Sequence, residues 1–130
     1  MMDQRRPSLD EYFLDIAALV AKRSTCLHRK VGAVIVRDKH ILSTGYNGAP
    51  VDEPHCGDVG CNKPEHAIGM ERCRAVHAEV NAVIQAAVHG VSIEGAVLYC
   101  THSPCPMCSK ILKNAKIKQI FWCKRYDEEE

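Results

Sequence analysis

Apolar positions recur at helical spacing near the start of the chain: Leu9, Tyr12, Phe13, Ile16, Leu19 and Val20 share one face of a helix that runs through Arg23. Ser8 followed by Glu11 has the make-up of a capping box and marks where that helix starts. The period then changes. Val31 to Val36 is β-branched and apolar, Asp38 and Lys39 interrupt it, and Ile41 to Tyr46 resumes an extended pattern, so a hairpin is predicted. Gly45, Asn47, Gly48 and Pro50 read as the bend that ends its second strand. From there to Arg74 the chain is rich in Gly, Pro, Asp, Cys and His without a period, and a loop of that length in a compact domain is usually functional or tied down. Order returns at His77, where Ala78, Val80, Ala82, Val83, Ala86, Ala87 and Val88 describe a mostly buried helix that Gly90 closes. Ala96 to Thr101 reads as a short strand, Cys105 to about Ala115 as a helix and Ile117 to Cys123 as a last strand. The alternating end implies parallel pairing through right-handed crossovers. The predicted class is α/β, a three-layer α/β/α sandwich with a central mixed sheet.

A length of 130 residues suits one domain, residues 1–130, with a single core. With 46% hydrophobic and 25% charged residues the composition is that of a globular protein. No apolar run approaches the roughly 20 residues that span a bilayer. Met1 to Arg6 is polar and lacks a secretory core, so a cytoplasmic location and no membrane partner are expected. The 17 basic and 16 acidic side chains leave a net charge of +1, and aromatics are only 5%. That balance offers little for tracking phosphates or stacking bases, which excludes a nucleic-acid polymer as the expected partner and favours a small ligand.

Eight cysteines in a chain read as cytoplasmic argue for metal binding or catalysis rather than disulfides. Cys100 and Cys123 lie in apolar runs and are expected to be buried thiols. The informative pair is His77-Ala78-Glu79 with Pro104-Cys105-Pro106-Met107-Cys108, each at the start of a predicted helix. Alone, the first is a common triplet and the second could be a redox dithiol or half a structural zinc site. Together they make a catalytic metal set. Cys105 and Cys108, at i and i+3, offer both sulfurs from one helix face, and the helix N-terminus favours the thiolate. His77 adds a third ligand, and three protein ligands leave a zinc ion one vertex for water. Glu79 stands two residues from His77, off its helix face, so it is read as the carboxylate that moves the water's proton to a ring nitrogen and a leaving amine, not as a fourth ligand.

These motifs, together with Arg23-Ser24-Thr25-Cys26, Val31-Gly32-Ala33-Val34-Ile35, Ser43 to Pro50 and His77-Ala78-Glu79-Val80-Asn81-Ala82, resemble the deoxycytidylate deaminases of bacteria, phages and eukaryotes, a group that includes the late-competence deaminases. The likeness runs from about residue 9 to 127. It implies zinc-dependent hydrolysis of dCMP to dUMP with release of ammonia, supplying dUMP for thymidylate synthesis. It further implies Glu79 as proton shuttle, His77, Cys105 and Cys108 as catalytic zinc ligands, and Asn47 as a sugar contact. His102 stands at the expected pocket mouth as a substrate contact or a residue ordering the zinc loop, and Tyr126 is suggested by the resemblance as a cover for the base. Arg29, Lys30, Arg72, Arg74 and Arg125 are candidates for the phosphate, with solvation the default for each. Larger relatives hold a second, structural zinc, for which Cys26, Cys56, Cys61 and Cys73 are candidate ligands, with His55 or His66 as substitutes; scattered buried thiols are the alternative. Regulation by dCTP and dTTP, Mg2+ accompanying the effector nucleotide, and a homo-oligomer, commonly a hexamer, are implied likewise. Two other readings stay open: deamination of another small cytosine compound such as cytidine or dCTP, and a non-catalytic zinc-stabilised binding module, against which Glu79 speaks.

Overall fold

The computed structural model describes residues 5–60 and 75–126. Helix α1 (Leu9–Ala21) opens with both halves of the anticipated capping box: the Ser8 hydroxyl accepts from the Glu11 amide at 3.1 Å, and the Glu11 carboxylate accepts from the Ser8 amide at 3.2 Å. Strands β1 (Gly32–Arg37) and β2 (His40–Tyr46) form the hairpin. Its two-residue turn puts both Asp38 (φ 53°) and Lys39 (φ 66°) in the left-handed region, as the tight turns that match strand twist require. A single-turn helix α2 (Cys56–Val59) interrupts the segment read as loop. With Gly57 inside and only four residues, it carries no helical period for a sequence pattern to show. Helix α3 (Ala78–Val88), strand β3 (Val97–His102), helix α4 (Pro106–Asn114) and strand β4 (Gln119–Lys124) complete the order. Each predicted boundary lies within about two residues of the observed one.

Among the described residues the sheet runs β2-β1-β3-β4, antiparallel except for the parallel pair β3 and β4. It is mixed, as anticipated. Alternation along β1 and β3 divides the core in two. Val34, Val36 and Tyr99 face α1, where Phe13 and Ala17 meet them, and Tyr99 stacks on Phe121 with ring centroids 5.1 Å apart. Ala33, Ile35, Leu98 and Cys100 face the other way, against Ala78, Ala82 and Ala86 of α3 and Leu112 of α4. Three layers result.

The helices come close because glycine and alanine let them. A side chain at Gly32 would lie 2.1 Å from the Ala17 carbonyl oxygen of α1, and one at Gly45 would lie 2.4 Å from both the Ala78 carbonyl and the Ala82 nitrogen of α3. Gly45 is therefore not the strand-ending bend read from the sequence: it sits inside β2, and what it supplies is room for α3. Cys123 also departs from expectation. It is exposed, because β4 is the edge of the sheet and its last three residues are uncovered. Cys100, on the inner strand β3, is fully buried as read. No described helix is long and apolar enough to cross a membrane.

Candidate active site

Two helix starts meet at the end of the sheet where β2 and β3 finish. His77 is the residue just before α3 and Cys105 the residue just before α4, both with extended backbone (φ −66° and −69°), and Cys108 lies in the first turn of α4. Pro106 suits the first helical position, where its missing N–H costs no hydrogen bond. His77 Nδ1 stands 3.2 Å from Cys108 Sγ and 3.6 Å from Cys105 Sγ, and the three ligand atoms all lie within 4.8 Å of one another. Zinc–sulfur and zinc–nitrogen bonds of ~2.3 and ~2.0 Å at a tetrahedral angle place nitrogen and sulfur about 3.5 Å apart, so the triad has the dimensions of a zinc site. It is also the only such group of metal-binding side chains among the described residues. The sequence brought these residues to neighbouring helix starts, and the fold brings their donor atoms together.

Electrostatics agree with that reading. The Cys108 thiol donates to the Cys105 sulfur, which pulls Cys105 down to about 4 and pushes Cys108 up, so the pair by itself shares one proton. A cation between the sulfurs would favour release of the second proton. Glu79 is buried, 4% exposed, on the first turn of α3. Burial, opposed chiefly by a hydrogen bond to its own backbone and by the nearby His77, pushes its carboxyl above the ordinary carboxylate value. Its side chain also hydrogen-bonds at Cys108, so the carboxylate faces the ligand cluster and not solvent. A buried carboxyl beside a three-ligand metal set can exchange protons with whatever occupies the remaining vertex.

The other predicted residues separate. His102 ends β3 at the same end of the sheet, 6% exposed, with its Nδ1 2.9 Å from the Thr101 hydroxyl. Tyr126 packs against Val80, Cys105 and Cys108, and its amide donates to the Ser103 hydroxyl at 2.9 Å. Asn47 is buried, and its carboxamide serves the backbone: Oδ1 accepts from the Val31 amide at 2.9 Å and Nδ2 donates to the Arg29 carbonyl at 2.7 Å. The Arg29 guanidinium donates to the Tyr126 carbonyl, while Lys30 and Arg125 are exposed. Cys26 is half-buried and Cys56 buried, on segments tied by a 2.9 Å hydrogen bond between the Thr25 hydroxyl and His55 Nδ1. Cys61, Cys73, His66, Arg72 and Arg74 lie outside the described residues. One contributor was passed over except as part of a quoted motif. Asn81, in the second turn of α3, donates from its side chain to the Tyr46 carbonyl at 2.8 Å and the Val76 carbonyl at 3.2 Å. The available signal was a weak helix former inside a helix otherwise rich in Ala and Val.

Comparison with known proteins places this geometry. The family model of the cytidine and deoxycytidylate deaminase zinc-binding region matches residues 7–124. ComE operon protein 2 of Bacillus subtilis is 41% identical over 121 residues, covering 93% of this chain and 62% of that protein. The deoxycytidylate deaminase of Schizosaccharomyces pombe is 38% identical over 126 residues, covering 94% of this chain and 39% of its own length. The chain thus spans less than two thirds of both relatives. Among solved structures, the dCMP deaminase of cyanophage S-TIM5 in complex with dCMP and dUMP superposes with a TM-score of 0.79 at 35% identity, over 95% of this chain and 86% of that one. A zinc-binding-region match that takes in His77, Glu79, Cys105 and Cys108 together means that this chain belongs to the cytidine and deoxycytidylate deaminase family.

Proposed function

We propose that this chain hydrolyses the exocyclic amino group of dCMP, giving dUMP and ammonia, and so supplies dUMP for thymidylate synthesis. The observation that carries the reading is a buried carboxylate, Glu79, turned toward the His77, Cys105 and Cys108 cluster. A purely structural zinc site has no use for a proton carrier at its open side. The substrate follows from the relatives, several of which are named deoxycytidylate deaminase, and from the similar phage enzyme solved with dCMP and dUMP.

A zinc ion held by His77, Cys105 and Cys108 would supply water acidified to near neutrality. Everything else in the reaction belongs to side chains. Glu79 accepts the first proton that the attacking water gives up and delivers it to the pyrimidine ring nitrogen. It then takes the remaining proton from the hydroxyl now on the ring carbon and passes it to the amino group, which leaves as ammonia while that carbon becomes the carbonyl of dUMP. Its raised pKa suits the first of these steps, since a more basic carboxylate takes up the water's proton more readily. Tyr126 covers the base above Val80 and the two cysteines, and His102 touches the substrate from the end of β3. Asn47, with one amide hydrogen beyond its bond to Arg29, contacts the sugar from the same end of the sheet.

Cys26 and Cys56, on adjoining segments, are ligands of a second, structural zinc together with Cys61 and Cys73, which would tie the segment between Pro50 and Ala75. Regulation by dCTP with Mg2+ and by dTTP, assembly into a homo-oligomer with a hexamer favoured, and a cytoplasmic location complete the reading.

The test is ammonia release from purified protein given dCMP, dCTP, cytidine, deoxycytidine or cytosine. dCMP is expected to be turned over fastest; a stronger response to any other compound refutes the substrate. Glu79→Ala is expected to keep its zinc and its fold and to lose roughly 10²–10⁴-fold in turnover. Near-parental turnover by that variant would falsify the mechanism.

A further inference from the structure

The residue that offers Nδ1 to the metal stands where a strand-like segment becomes a helix, and a ligand at such a junction is only as well aimed as the two peptide planes beside it. Both planes flanking His77 are held by one residue. The carbonyl of Val76, which shares its peptide plane with the His77 nitrogen, accepts from Asn81 Nδ2 at 3.2 Å and from the Gly48 amide at 3.2 Å. The carbonyl of His77 accepts from the Asn81 backbone amide at 2.9 Å. The second hydrogen of the same carboxamide goes to the Tyr46 carbonyl at 2.8 Å, at the end of β2. A return bond from the Val76 amide to the Gly48 carbonyl, 2.7 Å, closes the bridge.

Asparagine is a poor choice for a second helical turn unless its side chain is needed, because it competes with the backbone for hydrogen bonds. Here both amide hydrogens are engaged off the helix, and at i+4 from His77 the side chain lies over the junction. We propose that Asn81 is the positioning residue of the metal site: by clasping Val76 and Tyr46 it fixes the backbone from which His77 presents Nδ1 to the ion. The inference rests on the zinc-site reading but not on the identity of the substrate.

Ser43 provides the control. Its hydroxyl donates to the Ala82 carbonyl at 2.6 Å, so it too ties β2 to α3, and it is buried, yet it touches neither peptide beside His77. Zinc affinity would be measured by competition with a chromophoric chelator, and coordination geometry from the visible spectrum of the Co2+-substituted protein. Asn81→Ala is expected to weaken zinc binding by ~10–100-fold, the usual effect of losing a group that orients a metal ligand, and to alter the Co2+ bands. Ser43→Ala is expected to lower Tm while leaving affinity and spectrum as in the parent. Parental affinity and spectrum in Asn81→Ala, or an equal loss in Ser43→Ala, would overturn the proposal.

Should Asn81→Ala not fold, the parent protein itself carries the test. Metal binding and the clasp must stabilise each other, so stripping zinc is expected to speed exchange of the Val76 amide more than that of Ile35 in β1. An equal change at both overturns the proposal. Protein that binds zinc through this clasp but releases no ammonia from dCMP would instead refute the substrate and leave the clasp standing.

Discussion

Tyr99 shows how a single buried polar group can be tested by pH. Its hydroxyl donates to Asp10 Oδ1 at 2.5 Å, tying β3 to the first turn of α1. Burial, reinforced by the Asp10 carboxylate, raises the phenol to about 12 from an ordinary 10.0. The folded state therefore holds this proton more tightly than the unfolded chain, so the stability it contributes is fully present below pH 10 and is lost as pH rises through about 12. Tyr99→Phe is expected to be less stable than the parent at pH 8, by about 1.5–3 kcal/mol for a hydrogen bond to a charged group. The gap should close between pH 10 and 12 in urea titrations. A gap that stays constant would show that the bond adds nothing specific to the protonated phenol. Residues of this kind resist sequence reading: Asp10 and Tyr99 are 89 positions apart, and neither pattern nor motif links them. Asn47 makes the same point: its side chain bonds the backbone of Arg29 and Val31, 18 and 16 positions away, and no local pattern links them.

At the scale of elements, the two close-packed glycines separate stability from chemistry. Gly32→Ala would force α1 away from β1, and Gly45→Ala would force α3 away from β2. Each is expected to cost about 1–3 kcal/mol or more, since the atoms in the way are helix backbone and cannot rotate aside. Only α3 carries His77 and Glu79 at its start. Gly45→Ala should therefore also weaken zinc binding and turnover, whereas Gly32→Ala should lower Tm alone; equal loss of zinc by both variants would contradict this. The elements themselves were readable. Ser8 and Glu11 announced α1, the β-branched run announced β1, and His77 and Cys105 each stood one residue before the helix they were expected to begin. Two features were not: α2, too short to show a period, and the exposure of Cys123, which depends on β4 having no neighbour on its outer side among the described residues.

For the molecule as a whole, metal binding and folding are coupled. The ligands come from two helix starts that only the tertiary fold brings together, so an ion bound only by the folded state adds stability that grows with the logarithm of its concentration over Kd. That is roughly 4 kcal/mol at a thousandfold excess. Chelation is expected to lower Tm, and added zinc to restore it. In Cys105→Ala the response from this site should vanish. A Tm indifferent to chelator in the parent protein would mean that the cluster does not hold metal in solution.

What this sequence determined unaided depends on near neighbours: the helical and strand periods, the caps, and which donor and carboxylate side chains stand at the two helix starts. Such features are written within a turn or two of chain and survive any arrangement of the rest. The fold decided what depends on residues far apart. It set Nδ1 of His77 within 3.6 Å of a sulfur 28 positions away, turned Glu79 inward, made Gly45 a contact instead of a bend, and left Cys123 in solvent. Distance in space between such groups follows from how the sheet and helices close on one another, and no local pattern carries that information.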